Sequence, residues 1–168
     1  MKPALALGLC FLAAGCSDGD PQEPGPTFPP EQTCGVKVEI TGSLTATLNG
    51  KADEVTCATG LPGTGVRTGF QPAGGELMAL MLRVDEVEKG VTGGNFPATV
   101  DLQTRAEVWT QHYCAADVTE HKFMGPGQRL GQPYGEGFRV VGSGHCTPSA
   151  GSEHIKLGPF EFVTVITW

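Results

Sequence analysis

The chain has 168 residues and carries 11 Lys and Arg against 18 Asp and Glu, a formal net charge of −7. No cluster of basic residues interrupts that acidity, which excludes nucleic acid and anionic lipid surfaces as expected partners. The 25 glycines stand mostly in pairs or beside Pro, Asn or Thr, the punctuation of many short strands joined by turns.

Met1-Lys2 is followed by an apolar run from Ala4 to Ala14 that ends in small residues. A positive start, an apolar middle and a small-residue exit are the three parts of a secretory signal peptide. The run is too short for a spanning helix, which needs about 20 apolar residues. "AAGC" at Ala13–Cys16 resembles the lipobox of bacterial exported lipoproteins, although Leu12 stands four residues before the cysteine where the family prefers three. The resemblance implies that Cys16 is joined to diacylglycerol through its thiol and becomes the acylated first residue. Several acyl chains on one residue hold a protein firmly to a bilayer. Ser17 after the cysteine resembles the outer-membrane sorting choice, so the implied partner is the lipid bilayer and the implied address is the bacterial cell envelope.

Ser17 to Thr33 hold five prolines, two glycines and four acids, with almost nothing apolar. Such a stretch buries no core, and at roughly 3 Å per residue it reaches about 50 Å. The expected organisation is a signal peptide over 1–15, a lipidated Cys16 with a proline-rich linker over 16–33, and one β domain over 34–168.

In the head, Val36, Val38, Ile40, Leu44, Ala46 and Leu48 alternate with polar residues, a period of two. Asn49-Gly50 then predicts a type I′ hairpin turn, with Leu44 opposite Val55 and Gly42 opposite Cys57. Residues 59–75 read as a loop anchored by Phe70. Residues 76–88 fit a helical stripe as well as a strand, and the strand is favoured because a turn and a further strand follow. Val100 to Val108 alternate as one strand that runs on to Cys114, leaving Trp109, Gln111 and Tyr113 in an outward row. Residues 124–135 read as a loop. Phe138 and Val140 mark a strand, and Gly158-Pro159 resets the face of the last one, from Ile155 to Trp168. "GSLTATLNGK" is similar to openings seen in small uncharacterised β-rich envelope lipoproteins.

Cys34, Cys57, Cys114 and Cys146 form an even set in an exported chain and predict two disulfides. By strand parity all four point into the core. The hairpin at Asn49-Gly50 would put Cys34 some 26 Å from Cys57, so that pair is disfavoured unless the first strand bends sharply. Cys114–Cys146 is disfavoured in the same way if their strands form one hairpin. Bridges between distant strands are the expectation.

Candidate chemistry is sparse. His112, Cys114, His121, His145 and Cys146 are zinc-type ligands, but their spacing fits no known finger, and no metal or other cofactor is expected. Gly142-Ser143-Gly144 lacks the strand–turn–helix setting of a nucleophile elbow and reads as a strand relieved by glycines. Asp85, Glu86 and Glu88, with Asp53 and Glu54, lack calcium-loop spacing. Trp109, Gln111 and Tyr113 suit a flat platform for a glycan or an envelope protein.

The predicted fold is all-β: a disulfide-tied sandwich or partly closed barrel of seven to eight mostly antiparallel strands. The expected function is a non-catalytic binding or structural head on a lipid anchor. The alternatives are a metal-assisted hydrolase built on His112 and His121, and a lipocalin-like carrier of a small apolar ligand. For the latter, the Gly-x-Trp of the lipocalin family's first strand is missing.

Overall fold

A computed structural model describes residues 28–59, 65–129, 132–148 and 154–168. Alternation builds β1 (Gly35–Gly42), which buries Val36, Val38 and Ile40 and exposes Lys37 and Glu39. The strand reverses at Gly42, whose φ is +107° and where a Cβ would collide with the His154 carbonyl oxygen. Glycine alone meets both conditions without strain. β2 (Ala46–Asn49) returns along β1 with Leu48 opposite Val38 and Ala46 opposite Ile40.

This corrects the hairpin expected at Asn49-Gly50. Gly50 still donates to the Val36 carbonyl at 3.1 Å, and the chain then turns over residues 51–54. The Glu54 carboxylate organises that turn by accepting from the Asn49 N–H at 2.7 Å and the Asn49 side-chain amide at 3.1 Å. β3 (Val55–Thr59) leaves β2 and pairs with β4 (Val66–Pro72), with Cys57 opposite Phe70. β4 lies in the stretch read as a loop; residues 60–64 are outside the described set.

β5 (Ala79–Val84) resolves residues 76–88 in favour of the strand, with Leu80, Leu82 and Val84 inward. β6 (Gly93–Gln103) and β7 (Val108–Arg129) divide what reads in sequence as one strand. Between them the Thr104 N–H donates to the Glu107 carbonyl at 2.9 Å, and the Thr104 hydroxyl accepts from the Glu107 N–H at 3.1 Å. A threonine side chain here supplies the turn chemistry that Gly, Asn or Pro more often provide.

β7 and β8 (Gln132–Cys146) form a long hairpin that takes up most of the expected 124–135 loop, residues 130–131 being outside the described set. β9 (Ile155–Leu157) pairs with β1, and β10 (Phe160–Thr167) pairs with both β1 and β8. Gly158-Pro159 separates them, as expected, with the Gly158 N–H donating to the Glu39 carbonyl at 2.8 Å.

The fold is all-β and antiparallel, with ten described strands rather than seven or eight. One open sheet runs β2-β1-β10-β8-β7-β6-β5-β4-β3, with β9 beside β1. It curls so that β4 faces β10 across the core, where the Thr68 and Thr164 hydroxyls meet at 2.8 Å. Phe70, Phe162, Ile40, Leu44 and Leu102 fill the interior. Burying each contributes roughly 1.5–3 kcal/mol.

The disulfides correct both pairing expectations. Cys34–Cys57 closes with Cα atoms 5.7 Å apart. The turn at Gly42 brings the chain back to the start of β1 by residue 50, so β3 begins beside Cys34. This is the sharp bend on which that pair depended. Cys34 precedes β1 near one end of the sheet and Cys57 lies on β3 at the other, so a covalent tie joins regions that no strand pairing connects. Cys114–Cys146 joins directly opposite residues of β7 and β8, with Cα atoms 3.9 Å apart. The two arms of the hairpin are nearly equal in length, which the supposed loop at 124–135 concealed. As parity implied, all four cysteines sit in or against the hydrophobic core.

The folded head begins before Cys34. Phe28 is 3% exposed and lies against Gly35 and Gly50. Arg139, itself 2% exposed, donates from Nε to the Gln32 carbonyl at 2.8 Å and from Nη2 to the Pro29 carbonyl at 2.9 Å. Its third contact is the Glu120 carboxylate at 2.6 Å. Residues 28–33, expected to belong to the linker, are therefore clamped to the outside of β8. Cys16 and the rest of the linker lie outside the described residues.

Candidate functional site

The histidines of the metal-assisted alternative do not converge. His112 and His121 are nine residues apart on β7, about 30 Å along an extended strand. His121 is buried between Phe138 and Trp168, each ring centroid 5.1 Å away. Its Nδ1 lies 3.1 Å from the Val91 carbonyl, and its Nε2 accepts from the Gly90 N–H at 3.4 Å. That pattern fits the neutral ring, with Nδ1 donating. Burial pushes its pKa below the ordinary value near 6.5, and the bond to Val91 opposes the shift only in part. Cys114 and Cys146 are consumed by their disulfide. Among the described residues, no three His, Cys, Asp or Glu side chains gather as a metal site.

Ser143 is flanked by glycines for a packing reason. Gly142 and Gly144 lie opposite Phe162 and Phe160, and a Cβ on either would strike a phenylalanine ring. The glycines make room for the core rather than for a nucleophile.

The expected row of Trp109, Gln111 and Tyr113 is broken up. The turn at Thr104–Glu107 inverts the parity of β7, so Trp109 sits opposite Leu102 and Gln111 opposite Val100, both facing inward. Gln111 is 3% exposed and Trp109 is half-buried against the core. The register then shifts: Val100 opposes Gln111, but Ala98 opposes Cys114. One extra residue on β7 forms a bulge beside Thr99, and it leaves His112 and Tyr113 both exposed, Tyr113 to 67%.

That bulge completes a strip across the outer face of four strands. Arg67 of β4 lies opposite Arg83 of β5, and Arg83 lies opposite Thr99 of β6. The His112–Tyr113 bulge of β7 comes next. At about 4.8 Å per strand, the strip is roughly 15 Å long. Beside it runs a second outward row, in which Met81 of β5 lies opposite Asp101 of β6. Together Arg67, Met81, Arg83, Thr99 and Asp101 line a shallow groove of about 230 Å³. Arg83 is paired with Asp85 at 3.2 Å and reaches the Thr99 hydroxyl at 3.5 Å. Arg67 has no acidic partner among the described residues. The Asp101 Oδ1 is buried and likewise lacks a hydrogen-bond partner there.

The sequence signal for this site is weak, because Arg67, Arg83 and Tyr113 come from three strands whose register no local pattern specifies. Two other surfaces stand apart from it. A polar cleft of about 360 Å³ lies between the loop holding Gly75 and Glu76 and the turn holding Thr104, Arg105 and Ala106. Phe123, Met124 and Tyr134 are exposed on the arms of the β7–β8 hairpin. Compared with protein-family models, with curated proteins and with solved structures, the chain matches none.

Proposed function

We propose that the chain is an exported, lipid-anchored protein of the bacterial cell envelope whose β head is a binding module rather than an enzyme. One observation carries the reading: all four head cysteines are joined in two disulfides. Disulfides persist in oxidising compartments outside the cytoplasm, which agrees with the signal-like start and with Cys16. The head presents an open groove with two adjacent arginines beside Met81, the kind of surface that binds a partner. The metal-assisted alternative loses support because both nitrogens of His121 are engaged in holding residues 90–91. The carrier alternative loses support because large side chains fill the interior of the curled sheet.

The test is to express the full chain in a bacterium supplied with radiolabelled palmitate, beside a Cys16→Ser variant. Wild type is expected to carry label and to sediment with outer membranes, and the variant to lose both. Unlabelled wild type in the soluble fraction would overturn the reading.

A further inference from the structure

The strip across β4 to β7 has a cost that the fold does not recover. Like charges directly opposite on paired strands are destabilising. Arg67 and Arg83 are such a pair, yet Asp85 is paired with Arg83 only, and Arg67 has no carboxylate partner among the described residues. The chain has 18 acids for 11 bases, so acidic neighbours are not scarce. The buried Asp101 Oδ1, without a partner among the described residues, lies in the same groove as an unused acceptor.

Two guanidinium groups, an unpartnered carboxylate oxygen, a hydroxyl and an exposed aromatic ring within about 15 Å satisfy different parts of one kind of ligand. Guanidinium forks fit carboxylates in two-point fashion. A carboxylate lining a groove takes hydroxyl donors, and a tyrosine face takes the apolar side of a sugar ring. We infer that the outer face of β4–β7 binds an acidic oligosaccharide, with Arg67 and Arg83 holding a uronate carboxylate, Asp101 accepting from sugar hydroxyls, and Tyr113 stacking on a neighbouring ring. An acidic peptide would use the arginines but would offer less to Asp101 and Tyr113. The inference rests on the reading of the head as a binding module and names its ligand class.

The test is calorimetric titration of the full oxidised chain in detergent micelles with three probes: a galacturonic acid tetramer, a neutral glucose tetramer and a glutamate tetramer. The galacturonate tetramer is expected to bind at least about tenfold more tightly than either other probe. Arg67→Ala and Tyr113→Ala should each weaken it by about tenfold, and Arg67→Lys, which keeps the charge and guards against misfolding, should weaken it less. Both arginine variants should leave the near-ultraviolet circular dichroism unchanged. Equal binding of the glucose tetramer, or no saturable binding of the galacturonate, overturns the inference. Equal binding of the glutamate tetramer with no effect of Tyr113→Ala also overturns it, and points to an acidic peptide on a surviving binding module. Palmitate labelling of Cys16 in the same preparations reports separately on the anchor.

Discussion

Thr68 of β4 and Thr164 of β10, 96 residues apart in sequence, share a hydrogen bond of 2.8 Å in the core, and neither is more than 1% exposed. Their hydroxyls have been taken from water together. Thr68→Val leaves the Thr164 hydroxyl buried and unsatisfied, which costs about 1–3 kcal/mol. Replacing both by Val restores an apolar match of the same shape and should recover most of that loss. Urea denaturation of the two single variants and the double variant checks the relation.

Arg139 makes three charge-assisted contacts from a buried position, two of them to the carbonyls of Pro29 and Gln32. Arg139→Ala should destabilise the head by roughly 3 kcal/mol and free residues 28–33, so that a protease removes Phe28 from the folded head. Glu120→Gln should cost less than about 1 kcal/mol, because the partially exposed Glu120 is the one partner that water can replace. Limited proteolysis followed by mass measurement separates the two variants.

Peptide mapping without reduction should recover Cys34 joined to Cys57 and Cys114 joined to Cys146. The sequence separations are 23 and 32. Loop-closure entropy then assigns each bridge about 3–4 kcal/mol. Cys34→Ser with Cys57→Ser should also separate β3 from β1, since no strand pairing joins them. Loss of Cys114–Cys146 should leave the β7–β8 ladder intact. Amide hydrogen exchange in the two double variants reads that difference strand by strand.

Two groups set the acid side of the stability curve. His121 has its pKa lowered by burial, so the unfolded chain takes its proton first. Its contribution is full above about pH 6.5 and is lost as pH falls through the lower folded value. Glu54 is lowered chiefly by the Asn49 side-chain hydrogen bond, so its contribution is full above about pH 4.5 and is lost as pH falls further. Glu54 is only partly buried, and its share is the smaller. His121→Gln should flatten the first decline and Glu54→Gln the second, measured as urea midpoints between pH 7.5 and 3.5.

The parts of the fold legible in the sequence are those that a period of two and a burial preference decide locally. Val36–Ile40 and Leu80–Val84 are strands because their alternation allows one buried face, whereas Phe138–Val140 and Phe160–Ile166 also bury Arg139 and Val163 on the other face. The disulfides were legible as a pair of bridges, and the break at Gly158-Pro159 as a break. The turns were less so. Asn49-Gly50 looks like the hairpin, whereas Gly42 makes it, because the chain must leave room for the His154 carbonyl, which arrives from far along the chain. Thr104 turns the chain with its hydroxyl, and nothing in its type distinguishes it from a strand threonine. That one missed turn reversed the parity of Trp109 and Gln111.

By itself, the sequence determined an all-β head, inward cysteines in an oxidised set, an acidic surface and an N-terminal stretch resembling a lipoprotein signal. Each depends on residue type and short-range pattern. Only the tertiary structure decided which cysteines meet, that Phe28 belongs to the head, and that Arg67, Arg83 and Tyr113 share one face. Those relationships come from pairing between strands distant in sequence, where a bulge of one residue moves a side chain from the core to the surface.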